Sequence, residues 1–265
     1  MSARAGEAVD PAAREATRDL ILVLADSKRL LGYRYAEWML GAPELETGIA
    51  CSSMAQDEWG HARLLYSLLK EFGDDVDGLE HGREPGDYRN LEVLDESPAS
   101  WPDVVALMAL VDRALSVQFE ALRGSSHDAL RQRVEKLLEE ESFHTAHGMA
   151  WFQRLAGGTE ASRSALREAV EAVMEPVLRW FGGSERDRPL LGSGVVNAGG
   201  SELRRRFLDQ VGPLLEAVGL EDRYDGGEPE LEGFDEARRR TRPGGPDEAT
   251  IRRIRGDRNR AFLMD

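Results

Sequence analysis

Apolar residues recur at three- and four-residue spacing along almost the whole chain. Short clusters of Gly, Pro, Ser and Asp interrupt them, which is the pattern of amphipathic helices joined by turns. The pattern predicts an all-α protein. A first helix is expected from Arg14 to Leu40, with Leu20, Leu24, Leu31 and Trp38 among its apolar positions, stopping at Gly41-Ala42-Pro43. Pro43 suits the first turn of a second helix, with Glu44 and Glu46 near its positive end, that runs to about Phe72. These two form one antiparallel hairpin. Residues 73–98 read as a long acidic loop, a crossover or a lid. A third helix opens at Ser100-Trp101-Pro102-Asp103 and runs to about Arg123, and a fourth spans His127 to Leu155.

Two more amphipathic stretches, Glu160 to Phe181 and Ser201 to Val218, are expected to pack outside the first four helices, separated by a Gly-rich spacer. The chain thus divides into a polar arm (1–13), a helical bundle (14–182), an extra helix packed on it (183–220) and an acidic, Arg-rich tail (221–265). Within that tail the basic run Arg238 to Arg242 reads as a solvated or subunit-contacting patch.

Composition narrows the function classes. A net charge of -15 disfavours nucleic acid as a ligand. No apolar run approaches the ~18 residues of a membrane span, and the first residues lack the apolar segment of a signal peptide, so a cytoplasmic protein is expected. The lone Cys51 excludes an intramolecular disulfide and reads as a buried structural thiol.

The chemistry lies in a repeated motif. Glu-x-x-His occurs at Glu58/His61 and again at Glu141/His144, on separate predicted helices, each putting a carboxylate and an imidazole one turn apart on one face. A dinuclear metal site in a helix bundle needs two such motifs and one further acid from each of two other helices. Those acids must lie level with the motifs. Glu37 falls roughly 9 Å from the Pro43 turn and Glu58 roughly 22 Å, so the two cannot meet, whereas Asp26 at about 25 Å is within a turn of Glu58. By the same reckoning Asp112, roughly 20 Å from the turn near Ser125, matches Glu141 at roughly 24 Å, and Glu120 at about 8 Å does not. Asp112 also stands in the apolar run VVALMALVDRAL, where an unpaired charge is costly to bury.

The expected metal ligands are therefore Asp26, Glu58, His61, Asp112, Glu141 and His144, with Glu58 and Glu141 bridging. Four carboxylates and two imidazoles form an oxygen-rich shell that favours two iron ions, or manganese, over structural zinc. Asp57 and Glu140, each preceding a motif glutamate, are expected to reach across and orient the imidazoles. His81, His127 and His147 read as a surface, a helix-start and a flanking residue.

With these residues assembled, the chain resembles the A and C subunits of the phenylacetyl-CoA 1,2-epoxidase family in the ferritin-like superfamily. The likeness runs from about Leu20 to Phe181. ILVLADSKRLLGYRYAEWMLGAPELETGIA is similar to the structural C subunit, and AQDEWGHARLLYSLL and EEESFHTAHG to the catalytic A subunit. The resemblance implies a ferritin-like four-helix bundle with additional C-terminal helices, and carries the metal pattern onto Glu58, His61, Asp112, Glu141 and His144. An alignment anchored on Gly32 puts the catalytic subunit's first-helix glutamate near Arg29, which cannot ligate. The resemblance further implies an oxygenase subunit, with Glu58 and Glu141 at the catalytic metals, that adds one atom of O₂ to the ring of an aryl-CoA thioester. It works in a homo- or hetero-oligomer with other epoxidase subunits, and electrons come from a separate flavin/iron-sulfur reductase. Tyr33, Trp38, Phe119, Trp151 and Phe152 are candidates to line an apolar slot, or are ordinary core. Two other readings are a non-catalytic structural subunit pairing with the catalytic one, and a ferritin-like iron-binding or oxidase protein.

Overall fold

The computed structural model describes residues 10–224, 227–257 and 259–262, so most of the expected N-terminal arm lies outside the described residues. Helix α1 (Pro11–Glu37) starts three residues earlier than the spacing suggests, because Asp10 caps it by accepting from Ala12 N and Pro11 occupies its first turn. Nearly every residue from Leu20 to Leu31 is buried, so α1 is a central helix and not a surface one. The chain turns at Trp38 and returns as α2 (Leu45–Leu68), packed along α1. Gly48 is required there, since a Cβ would come within 2.3 Å of the Met39 carbonyl oxygen.

Of the two readings of residues 73–98, a crossover or a lid, the structure shows a stapled crossover. It holds a short helix, α3 (Val76–His81), and several tight turns. The buried Arg34 guanidinium donates to the carbonyls of Leu94 and Asp95, which fixes the crossover to α1. Next come α4 (Trp101–Ala106), a π-helical turn at Leu107–Val111 and α5 (Asp112–Glu120), one continuous rod opened by a Ser100/Asp103 capping box. Helix α6 (Asp128–Ala156) completes the four-helix core, with the His127 ring accepting from Leu130 N at its start.

Around this core α7 (Glu160–Trp180) packs on α4 and α6, α8 (Ser184–Gly192) on α1, and α9 (Gly200–Ala217) on α5 and α6. The Gly-rich spacer therefore contains a helix, tied down by Asp187, which accepts from Gly200 N. The run at Arg238 also differs from its surface reading. Arg239 and Arg240 are buried, the first on Gln118 and Asp187 above the Trp180 ring, the second paired with Asp95. Each guanidinium has found an acid distant in sequence, which a charge run cannot reveal. Helix α10 (Glu248–Arg255) closes the chain with Ile251 and Ile254 buried. Among the described residues the only β-type pairing is an isolated bridge between Asp235 and Arg240, and no helix is long and apolar enough to cross a membrane.

Candidate metal centre

Side chains from four helices meet in the middle of the core. Helix α2 presents Glu58 and His61, α6 presents Glu141 and His144, and α5 begins with Asp112; all five are buried. α2 and α6 run antiparallel, since Thr47 meets Trp151 at one end and His61 meets Glu140 at the other. The π turn before Asp112 inserts one residue and so rotates what comes after it by about 100° relative to an unbroken helix. Gly148 on α6 makes room for it, because a Cβ there would lie 2.8 Å from Met108 Cβ.

The member contributed by α1 is Lys28. Its ammonium lies 3.0 Å from Glu58 Oε1, 2.9 Å from Asp112 Oδ1 and 2.6 Å from Glu141 Oε1, with no exposure to solvent. The structure places Asp26 elsewhere. Two residues along a helix is a rotation of about 200°, so Asp26 has a suitable depth but points to the far side of α1. There its carboxylate is paired with Arg83, accepts from Tyr66 Oη, and accepts from Arg89 N at 2.8 Å. The candidate ligands thus separate into five that converge and one that anchors the crossover. Lys28 itself was detectable: it stands in ILVLADSKRLL, and the burial argument applied to Asp112 applies equally to it.

The imidazoles are held from outside. Glu140 Oε2 lies 2.7 Å from His61 Nε2, and Asp57 Oδ2 lies 3.3 Å from His144 Nε2, each acid reaching across to the other motif's histidine. On the inner side His144 Nδ1 is 3.2 Å from both Glu58 Oε1 and Asp112 Oδ2. His61 Nδ1 is 3.1 Å from Glu141 Oε1 but off the line of a hydrogen bond, and counts as unpartnered. Tyr35 donates to Asp112 Oδ2 at 3.2 Å. Of the aromatics considered for a slot, Trp38 and Trp151 each pack on Trp101, the first tilted and the second edge-on, and Phe119 faces Lys28 with its ring 5.8 Å away.

Electrostatics close the cluster on itself. Burial opposes the Lys28 charge, yet Asp112, Glu141 and Glu58 together hold its pKa above the usual lysine range. His144, also against burial, is raised to about 11 by Asp112 and Glu58. Asp112, despite burial, is held well below the ordinary carboxylate range by Lys28 and His144. Burial and the neighbouring Asp112 push the Glu141 carboxyl up to about 8. The Lys28 ammonium and the His144 imidazolium thus face acids from three helices, Glu58, Asp112 and Glu141.

Ligand atoms of Glu58, Asp112, Glu141 and His144 lie within 4.8 Å of one another, so this buried cluster could hold a metal ion. Glu58 Oε2 and Glu141 Oε2, buried without a hydrogen-bond partner, are the free donor atoms for it. The Lys28 ammonium already sits among these same oxygens, and at about 4 Å and an effective dielectric of ~20 a unit charge opposes a divalent ion by roughly 8 kcal/mol, so a metal ion and the ammonium compete for the three acids.

An all-α bundle with buried carboxylates and imidazoles projecting inward from antiparallel helices is a ferritin-like protein. Within that class, the sequence model of the family described as "Phenylacetic acid catabolic protein" matches residues 1–230, and the chain belongs to that family. It is similar to the A subunit of the 1,2-phenylacetyl-CoA epoxidase of Escherichia coli (strain K12), 29% identical over 187 residues, which cover 69% of this chain and 60% of that protein. It is also similar to the C subunit of the same enzyme, 27% identical over 177 residues, covering 66% of this chain and 71% of that protein. The first of these matches therefore spans less than two thirds of its relative's length.

Proposed function

We propose that this chain is a subunit of a cytoplasmic, multicomponent epoxidase of the phenylacetyl-CoA type. In such an assembly an aryl-CoA thioester is the substrate and a separate reductase supplies electrons. Within it, we assign this chain the non-catalytic role, paired with a homologous catalytic subunit. One observation carries the assignment: Lys28 donates to Glu58, Asp112 and Glu141 at once. An ammonium bound to all three acids supplies the positive charge that metal ions would otherwise bring. Loading two irons would require Lys28 to leave or lose its proton, and the surrounding carboxylates oppose that loss. The cluster then serves the fold, tying α1, α2, α5 and α6 at one depth.

Metal analysis after anaerobic reconstitution with Fe²⁺ tests the assignment. Iron well below one equivalent per chain is expected, together with unchanged activity of the assembled complex when Glu141 is replaced by Gln. A second reading, in which the chain carries its own di-iron centre, draws on the five converging ligand residues and the two free carboxylate oxygens. Two equivalents of iron and loss of activity in Glu141→Gln would establish it in place of the first. Iron oxidation by the isolated chain, with no binding of aryl-CoA to its complex, would instead support ferritin-like iron handling.

A further inference from the structure

The family's sequence model ends at residue 230, and the described residues beyond it fold back across the outer side of the crossover. Their hold on it is polar. Arg240 pairs with the Asp95 carboxylate, and the buried Glu92 carboxylate accepts from Thr241 N and Arg242 N, each at 3.1 Å. Arg238 donates to the Tyr88 carbonyl at 2.8 Å, and Arg255 to the Arg83 carbonyl at 2.6 Å. Arg239 reaches further in, to Gln118 Oε1 at 2.9 Å and Asp187 Oδ1 at 3.3 Å. The apolar share is small, because α10 buries only Ile251 and Ile254 among its aliphatic side chains. Buried ion pairs return little net free energy, since opening rehydrates both partners, whereas buried apolar area sets most of the cost of exposing a segment. Residues 235–255 therefore belong to the low-stability end of the fold, which opens while the rest stays closed.

Three crossover residues reach in two directions. Asp95 gives its carbonyl to Arg34 of α1 at 2.8 Å and its carboxylate to Arg240. Arg83 pairs through its guanidinium with Asp26 of α1 and offers its carbonyl to Arg255. Arg89 donates its backbone N–H to Asp26 at 2.8 Å and its guanidinium to the Ala237 carbonyl at 3.4 Å. Each of them stands between α1 on the inside and the C-terminal segment on the outside. We propose that residues 235–255 form a latch, a segment that opens and closes as a unit and whose closure sets how tightly the crossover grips α1. Its ends are marked by the turn that Asp235 and Arg240 close on each other and by Gly256, which stops α10 at a φ of 67°. Opening hydrates Glu92 and Asp95, frees the Arg83 carbonyl, and lets the crossover lift from Asp26 while α2 and α6 stay packed. The device lies beyond the residues that match the family, and it is independent of the subunit reading.

Hydrogen–deuterium exchange of the full chain, resolved to short peptides by mass spectrometry, tests this. In wild type under sub-denaturing urea, peptides of the latch, carrying Thr241 N and Arg242 N, should exchange first. Crossover peptides carrying Arg89 N and Leu91 N, which bond to Asp26 and to Ser27 Oγ, should follow, and α6 last. Arg240→Ala should then speed exchange of both latch and crossover by about 10-fold or more and leave α2 and α6 within about 2-fold of wild type. Arg240→Lys, which keeps a charge beside Asp95, should recover most of the protection. A faster latch on an unchanged crossover would overturn the proposal. So would wild-type latch exchange no faster than that of α6, or a uniform rise in the variant that includes α6, since either makes the segment part of the global fold.

Discussion

Replacing Lys28 by Met separates the two ways of balancing the buried acids. Met fills nearly the same volume, so packing loss is small, but three carboxylate oxygens lose their shared donor. Breaking a buried ion cluster by removing one partner costs roughly 3–5 kcal/mol. The lower end is expected, because Glu141 already holds its proton near neutral pH and the remaining acids keep His144. For a chain of this length about 3 kcal/mol corresponds to a fall in Tm of roughly 6–12 °C. The variant also gains a metal site, with Glu58, Asp112, Glu141 and both histidines now free to meet a cation. Urea denaturation followed by circular dichroism, with and without Mn²⁺, reads both effects. Mn²⁺ at ~100 times its Kd should restore about 2.7 kcal/mol to Lys28→Met and leave the wild type unchanged. Wild-type stability in the metal-free variant, or an equal Mn²⁺ response in both proteins, would refute the argument.

Other outcomes follow from the same geometry. Asp26→Asn strips Arg83 and Arg89 N of their acceptor's charge and should destabilise by roughly 3 kcal/mol, while Mn²⁺ rescue of a Lys28→Met background stays intact; loss of that rescue would put Asp26 back among the ligands. Gly148→Ala overpacks the π turn at Met108 and should cost about 1–3 kcal/mol by urea titration, more than Gly60→Ala, which meets open space. Stability should fall as pH rises. The folded state keeps the His144 proton to about pH 11 against 6.5 unfolded, and the Glu141 proton to about pH 8 against 4.5. Their stabilisation is therefore complete at low pH, lost through 4.5–8 for Glu141 and through 6.5–11 for His144, at up to about 1.4 kcal/mol per pH unit for each group. Urea midpoints between about pH 6 and 9 check the slope, which Glu141→Gln should reduce.

Much of this was legible in the sequence, for identifiable reasons. Apolar spacing and turn residues placed the helices within a few residues, because burial of one face dictates both. Axial rise brought Glu58, Asp112 and Glu141 to a common depth, since a tight hairpin fixes how far each residue lies from its turn. Rise carries no information about direction around the axis, and that is where Asp26 and Lys28 part. The π turn was invisible as well, because LMALV has no composition that marks an extra residue per turn. The Arg238–Arg242 run misled for a different reason: its partners Asp95, Gln118 and Asp187 come from three separate segments.

Five ligand-type residues around a lysine raise the question of why the acids persist if no metal pair binds. Buried charges that are mutually satisfied cannot be removed singly without leaving an uncompensated partner, so the cluster holds together as a set. That argument predicts a specific non-additivity. Glu141→Gln alone leaves Lys28 an amide oxygen but removes the ionisable acid beside Lys28 and His61 Nδ1, and Lys28→Met alone strands three acids. Made together, they remove a cation and an acid that lie 2.6 Å apart and leave Asp112 facing His144. The double variant should be more stable than the sum of the single losses by about 1–3 kcal/mol, measured as a urea double-mutant cycle in metal-free buffer. Strict additivity would mean that Lys28 and Glu141 do not sense each other, and the ammonium would lose its standing as the charge that closes this centre.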